Sequence, residues 1–238
     1  MKLLGKGITL LNIYYTDIIS TSYSDLLADF GRIISAERIE KIQALRLEDD
    51  KVRSLLAEIL LRYSLSKDFF LQKKDVQIIS TTYGKPYLNN ISDIHFNISH
   101  SGSYVACAVS NQVVGLDIEK IGNSNDKLIQ VFHKNEIAYL NKLPSKSRKE
   151  AFYKLWSLKE SYIKYLGLGL AFPLNSFYIK EEDCVLNVHR EDKKIFKGKI
   201  EEITIDLEFM CSVCYDATRI SSIERVGNKK LKDYLTNF

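Results

Sequence analysis

A chain of 238 residues with 45% hydrophobic residues, 27% charged residues and only three prolines is long enough to bury a core of its own, and this composition excludes a disordered or fibrous protein. Its 34 basic and 30 acidic residues leave a net charge of +4, too mild to demand nucleic acid but suited to steering an acidic partner. No apolar run reaches the ~20 residues of a spanning helix, so a soluble, cytoplasmic protein without a membrane or nucleic-acid partner is expected.

Met1–Lys6 lacks a small-residue cleavage site and reads as a lead into a first strand over Ile8–Tyr15, a stretch rich in β-branched and aromatic residues. From Ser24 the spacing of Leu26, Leu27, Phe30 and Ile33 is helical. Two further helices follow, a basic amphipathic one over Ala36–Leu47 and one over Asp49–Ser66 with an apolar stripe through Val52, Leu55, Leu56, Ile59, Leu60 and Tyr63. The period then changes to short strands at Val76–Ser80, His95–Ser99, Tyr104–Val109 and Val113–Ile118, with a turn at Ser110–Gln112.

The polar, turn-rich stretch Lys120–Asp126 reads as a junction. Beyond it, helices near Lys127–Val131, Lys134–Leu143 and Ser147–Leu166 precede strands near Phe177–Lys180, Val185–His189, Ile195–Ile200 and Ile203–Tyr215. The expected fold class is therefore α+β, with an N-terminal half over residues 1–118 and a C-terminal half over 119–238, each with helices followed by a mostly antiparallel sheet. No residue-level repeat links the halves, so their similarity rests on element order alone. The four cysteines, at 107, 184, 211 and 214, do not form a disulfide framework. Cys211 and Cys214 lie three apart in a strand and so face opposite ways.

Several clusters carry chemistry. In Val114-Gly-Leu-Asp-Ile-Glu119, Asp117 and Glu119 stand at i and i+2 of a strand and project from one face. Two adjacent acids repel, and a bound cation or a solvent-facing strand end relieves them. In the helix from Phe152 to Leu166, Trp156, Glu160 and Lys164 fall at i, i+4 and i+8. Glu160 and Lys164 suit a surface pair, but Gly167-Leu-Gly169 just beyond ends the helix sharply and permits close backbone approach. Phe96-Asn-Ile-Ser-His-Ser-Gly102 gathers the hydroxyls of Ser99 and Ser101 and the imidazole of His100 at a strand end, a group that suits a phosphate. Arg38, Lys41, Arg53 and Ser54 on helical segments, and Lys85 in a Gly-Lys-Pro turn, are compatible with an anion site and equally with solvated faces.

Gly84-Lys-Pro86, Phe96-Asn-Ile-Ser-His-Ser101, Gly115-x-Asp-x-Glu119 and Trp156-Ser-x-Lys-Glu-Ser-x-x-Lys164, in this order, resemble the signature of Sfp-type 4′-phosphopantetheinyl transferases. The likeness runs from about Ala36 to Pro173 and includes Arg53-Ser-Leu-Leu-Ala-Glu58. It implies two similar α/β halves packed about a pseudo-twofold axis, with coenzyme A between them. It further implies transfer of phosphopantetheine from coenzyme A to a serine of an acyl or peptidyl carrier protein, releasing adenosine 3′,5′-bisphosphate. Asp117, Glu119 and Glu160 would hold Mg2+, a cation that takes oxygen ligands from a few carboxylates and substrate phosphates. Lys164 and Lys159 would neutralise the pyrophosphate. Arg38, Lys41, Ser54, Ser99 and His100 would meet the 3′-phosphate, Lys85 the adenine nucleotide end, and Arg53 would belong to the same coenzyme A-binding set. Arg38 stands where the family pattern has lysine, which keeps the charge and changes the geometry. Glu136 aligns with a glutamate proposed as the base toward the carrier serine, with a metal-bound water as the alternative. Fused halves imply a monomer. A metal-dependent phosphohydrolase acting on coenzyme A, or a non-catalytic coenzyme A-binding module, is the alternative function.

Overall fold

The structure is a computed structural model and describes residues 10–122 and 126–235. The segment Met1–Lys6, the first two residues of the strand expected at Ile8, and positions 123–125 of the expected junction lie outside the described residues. The elements run β1 (Leu11–Asp17), α1 (Tyr23–Phe30), α2 (Ala36–Gln43), α3 (Glu48–Phe69), β2 (Ile78–Ser80), β3 (Pro86–Leu88), β4 (His95–Ser101), β5 (Tyr104–Ser110) and β6 (Val114–Lys120). They continue with α4 (Lys134–Lys142), α5 (Ser145–Leu166), β7 (Tyr178–Glu182), β8 (Val185–Arg190), β9 (Lys193–Lys194), β10 (Lys199–Ile203), β11 (Phe209–Tyr215), β12 (Ser222–Arg225) and α6 (Asn228–Leu235). Among the described residues, no helix is long and apolar enough to cross a membrane.

The chain forms two compact units. The first takes the described part of residues 1–79, 87–112 and 218–238, and the second residues 80–86 and 113–217. This differs from the division expected at residue 118. β6 pairs with β11 from Val114 onward and packs along α5, so it opens the second unit instead of closing the first. The last segment returns to the first unit, where β12 pairs with β1 in parallel and Asn12 stands opposite Ser222.

In the first unit the sheet runs β12-β1-β5-β4, and α3 packs on β5 and β4. Its core is built from the buried stripe of α3, Leu55, Leu56, Ile59, Leu60 and Tyr63, against Tyr14, Val105, Cys107 and Val109. In the second unit the sheet runs β10-β11-β6, with β7-β8-β9 as a further sheet. There α5 buries Phe152, Leu155, Leu158, Tyr162 and Ile163 among Phe132, Phe177, Val188 and Phe196.

The two units share one connectivity. A first strand leads to a 22-residue helix, α3 or α5, and after intervening strands to a hairpin, β4–β5 or β10–β11, whose second strand pairs antiparallel with the first strand, β5 on β1 and β11 on β6. Each long helix ends on a left-handed residue, Phe70 at φ 57° and Gly167 at φ 72°. The likeness expected from element order thus exists in topology.

Several expected elements differ: the strand expected at Ile195–Ile200 is strand only at Lys199 and Ile200, which open β10, and the helix expected over Ala36–Leu47 ends at Gln43. The strand read as Ile203–Tyr215 is broken, because Asp206 accepts from Glu208 N with its side chain and from Phe209 N with its carbonyl, which makes a turn. Lys127–Val131 belongs to a 3-10 helix over Asp126–Val131 instead of an α-helix.

Candidate functional site

The acids of β6 are set by a close approach of strand and helix. A Cβ placed on Gly115 would stand 2.1 Å from Ser161 O and 2.2 Å from Tyr165 N, the two ends of one helical hydrogen bond of α5. Only glycine lets β6 lie this near the helix. Two residues on, Ser157 Oγ of α5 donates to Asp117 O at 3.3 Å. The side chain of Asp117 is buried, and its Oδ1 accepts from Lys164 Nζ at 2.7 Å. Glu119, half-buried, shares the Asp117 face of β6 by the two-residue repeat.

Glu160, one helical turn before Lys164, has its pKa raised by burial and then by the Asp117 charge, with Lys164 opposing. Asp117 and Glu160 are therefore close enough to repel, and the Lys164 ammonium on Asp117 stands where a cation lowers that repulsion. Among the described residues no three acidic, histidine or cysteine side chains are already gathered into a metal cage. The donor chemistry nevertheless fits magnesium, since carboxylate oxygens with phosphate oxygens make up the shell this ion prefers.

Lys159 and Glu136 occupy a different place from the one expected. Adjacent helical residues point about 100° apart, so Lys159 turns into the core of the second unit while its neighbour Glu160 does not. Lys159 is fully buried. Its Nζ donates to Glu136 Oε2 at 2.7 Å and to Phe177 O at 2.6 Å, and lies 4.1 Å from the Phe177 ring centroid. Burial pulls its pKa down to about 8, with the Glu136 charge opposing. Glu136, 3% exposed, also accepts from Ile179 N at 2.9 Å and from His133 N at 3.1 Å. The latter is half of a capping box at the start of α4. The pair ties α4, α5 and β7 together, with the ammonium and the carboxylate each engaged by the other and by backbone groups.

Lys85 also has a role that its sequence context does not reveal. Its Nζ donates to Val114 O at 3.1 Å, Lys164 O at 2.6 Å and Tyr165 O at 3.2 Å, capping the C-terminal carbonyls of α5. Gly167 makes room for it, because a Cβ there would meet Lys85 Cδ at 3.1 Å. Burial lowers the Lys85 pKa to about 8. Lys85→Met is expected to cost about 1–3 kcal/mol in denaturant unfolding, by stripping the donor from three carbonyls. A raised KM for coenzyme A at unchanged stability would instead return Lys85 to the nucleotide.

The remaining anion candidates lie in the first unit. Arg38 Nη2 donates to Ser54 Oγ at 2.9 Å, and Arg53 Nη1 donates to Gly102 O at 2.7 Å, pinning the β4–β5 turn to α3. Arg53 also pairs with Asp50 at 2.5 Å. Lys41 is exposed and pairs with Glu37 at 2.6 Å across one turn of α2. Ser99 is buried and His100 exposed, as expected of neighbours on opposite faces of a strand. Cys211 and Cys214 are both buried free thiols in β11. Glu58 links Arg38 to Arg62, and its signal in the sequence is the Glu58–Arg62 spacing of i and i+4.

Two family models match the chain. One, described as 4′-phosphopantetheinyl transferase superfamily, covers residues 113–214, and the other, described as 4′-phosphopantetheinyl transferase, N-terminal, covers residues 21–112. Their meeting point at 112/113 coincides with the passage from the first unit to the second. The chain is 36% identical over 188 residues to the 4′-phosphopantetheinyl transferase gsp of Aneurinibacillus migulanus, covering 77% of this chain and 75% of that protein. It is 39% identical over 187 residues to the 4′-phosphopantetheinyl transferase Sfp of Bacillus subtilis (strain 168), covering 78% and 83%. The L-aminoadipate-semialdehyde dehydrogenase-phosphopantetheinyl transferase of Homo sapiens is 28% identical over 189 residues, covering 72% and 61%.

Proposed function

This chain belongs to the 4′-phosphopantetheinyl transferase family, and from that premise we propose that Asp117, Glu119 and Glu160 hold magnesium beside the pyrophosphate of coenzyme A. The enzyme transfers 4′-phosphopantetheine from coenzyme A to a serine of a carrier protein. The serine oxygen forms a bond to the β-phosphorus and gives up its proton to solvent, the bond from that phosphorus to the bridging oxygen breaks with its electron pair passing to that oxygen, and adenosine 3′,5′-bisphosphate leaves. Magnesium, when bound, supplies Lewis-acid stabilisation of the phosphate charge.

The observation that carries this reading is the contact of Lys164 with Asp117 at 2.7 Å, beside a Glu160 whose ionisation the Asp117 charge opposes. Such a cluster is built for a cation. Lys164, on a side chain 28% exposed, is placed to turn from Asp117 to the pyrophosphate as charge develops there. Glu136 and Lys159 act at one remove, by fixing α5 beside α4 and β7. Arg38, Ser54, Lys41, Ser99 and His100 serve the 3′-phosphate in this reading, with Arg53 holding the β4–β5 turn in register with α3.

Incubation with coenzyme A, magnesium and an apo-carrier protein, followed by intact mass, is expected to show a carrier gain of one phosphopantetheine and its dependence on magnesium. Cleavage of coenzyme A with the carrier unmodified would support the phosphohydrolase alternative, which the names of the relatives above do not favour. We read the protein as cytoplasmic and monomeric, and the same preparation is expected to sediment as a single chain of 27.4 kDa.

A further inference from the structure

Arg38 is already held in place. Its Nε donates to Glu58 Oε2 at 3.0 Å, and its Nη2 donates to Ser54 Oγ at 2.9 Å and Ser54 O at 3.3 Å. Glu58 lies one turn beyond Ser54 on α3, with a side chain only 8% exposed. Its other oxygen, Oε1, accepts from Arg62 Nε at 3.1 Å and Arg62 Nη2 at 2.8 Å. Arg62 is also buried, whereas the Arg38 side chain is 37% exposed.

One carboxylate between two guanidinium groups leaves a unit of positive charge in excess. Arg62 is sealed inside and compensates the buried carboxylate, so the excess is presented at the open end, on Arg38. A guanidinium carries its donors in a rigid plane. With Nε and Nη2 fixed by Glu58 and Ser54, that plane has one orientation before any anion arrives, and less side-chain freedom is lost when one binds.

We propose that Glu58 is a positioning residue for coenzyme A, which orients the Arg38 guanidinium toward the 3′-phosphate while Arg62 balances its buried charge. The proposal rests on the reading of Arg38 as a 3′-phosphate contact. It concerns a residue that never touches the substrate, so its mark is selectivity for the 3′-phosphate, not rate.

The test is steady-state transfer with coenzyme A and with 3′-dephospho-coenzyme A, by the parent, Arg38→Ala, Glu58→Gln and Glu58→Gln/Arg62→Met. Arg38→Ala is expected to abolish most of the parent preference for the 3′-phosphorylated donor. Glu58→Gln is expected to raise KM for coenzyme A about tenfold, the equivalent of one well-oriented charged contact, and to leave kcat within about twofold. KM for the dephospho donor stays near the parent value. A buried Arg62 without its carboxylate costs stability, so the double variant keeps the test open if Glu58→Gln does not fold. In the double variant the fold is recovered and the selectivity stays lost. If Arg38→Ala loses the preference while the foldable Glu58 variants keep it, the positioning role is wrong and the 3′-phosphate reading stands. If Arg38→Ala keeps the preference, the 3′-phosphate reading fails, and the Glu58 role fails with it.

Discussion

Asp117→Asn is expected to lower phosphopantetheine transfer by a hundredfold or more at limiting magnesium, because displacement of reacting groups by about 1 Å costs on that order. The amide keeps the shape of the side chain and removes the charge. Without that charge the position loses most of its affinity for a hard cation, and Lys164, no longer drawn to Oδ1 at 2.7 Å, is free to pair with Glu160 across one turn of α5. Two effects on stability oppose each other. The Asp117–Lys164 pair is lost, but its lysine side is 28% exposed and screened by solvent. Against that, a carboxylate 2% exposed no longer has to be desolvated, and the Glu160 pKa, raised by burial and by Asp117, falls back toward the ordinary range. The sign follows from that raised value. Glu160 binds its proton more tightly folded than unfolded, so its ionisation destabilises the fold as pH rises through the window between the two pKa values. Removing the Asp117 charge reduces this penalty at neutral pH, and the unfolding free energy is expected to stay within about 1 kcal/mol of the parent. Raising magnesium should recover part of the rate. Transfer near the parent rate at limiting magnesium would refute the metal assignment.

Gly115→Ala is expected to damage both stability and transfer. The new methyl group would sit 2.1 Å from Ser161 O, 2.2 Å from Tyr165 N and 2.8 Å from Tyr165 Cα, all backbone atoms of the C-terminal turns of α5 that have no rotamer to escape into. Either α5 moves away from β6 or the Ser161–Tyr165 turn opens. Overpacking of this kind costs about 3 kcal/mol, read as a fall in the denaturant midpoint. The same displacement separates Asp117 on β6 from Glu160 and Lys164 on α5, so transfer should fall even where the variant is still folded. Gly227→Ala is the control, since nothing lies within 4 Å of the Cβ it would add. Parent stability and parent rate in Gly115→Ala would mean that the α5–β6 contact does not set the site.

These expectations separate what the chain states locally from what it leaves to packing. Asp117 and Glu119 were legible as a same-face pair because a strand repeats every two residues, and Glu160 with Lys164 because a helix repeats every 3.6. The helix stop at Gly167 was legible because a left-handed residue, here at φ 72°, favours glycine. The order of the motifs was enough to name the family. The sequence could not say which face of each element meets which neighbour. Lys159 and Glu160 are adjacent and both ionisable, and only the arrival of Phe177 and Glu136 from other elements makes one of them a buried clamp. Lys85 looked like a free cation in a turn until the α5 carbonyls, about eighty positions away, closed on it. The parallel pairing of β12 with β1 joins opposite ends of the chain, and no local period signals it. Periodicity fixes the direction of a side chain relative to its own backbone. The partner that gives a buried charge its role is fixed by long-range contacts, whose free energy is shared over the whole core, and so it is decided only when the units fold.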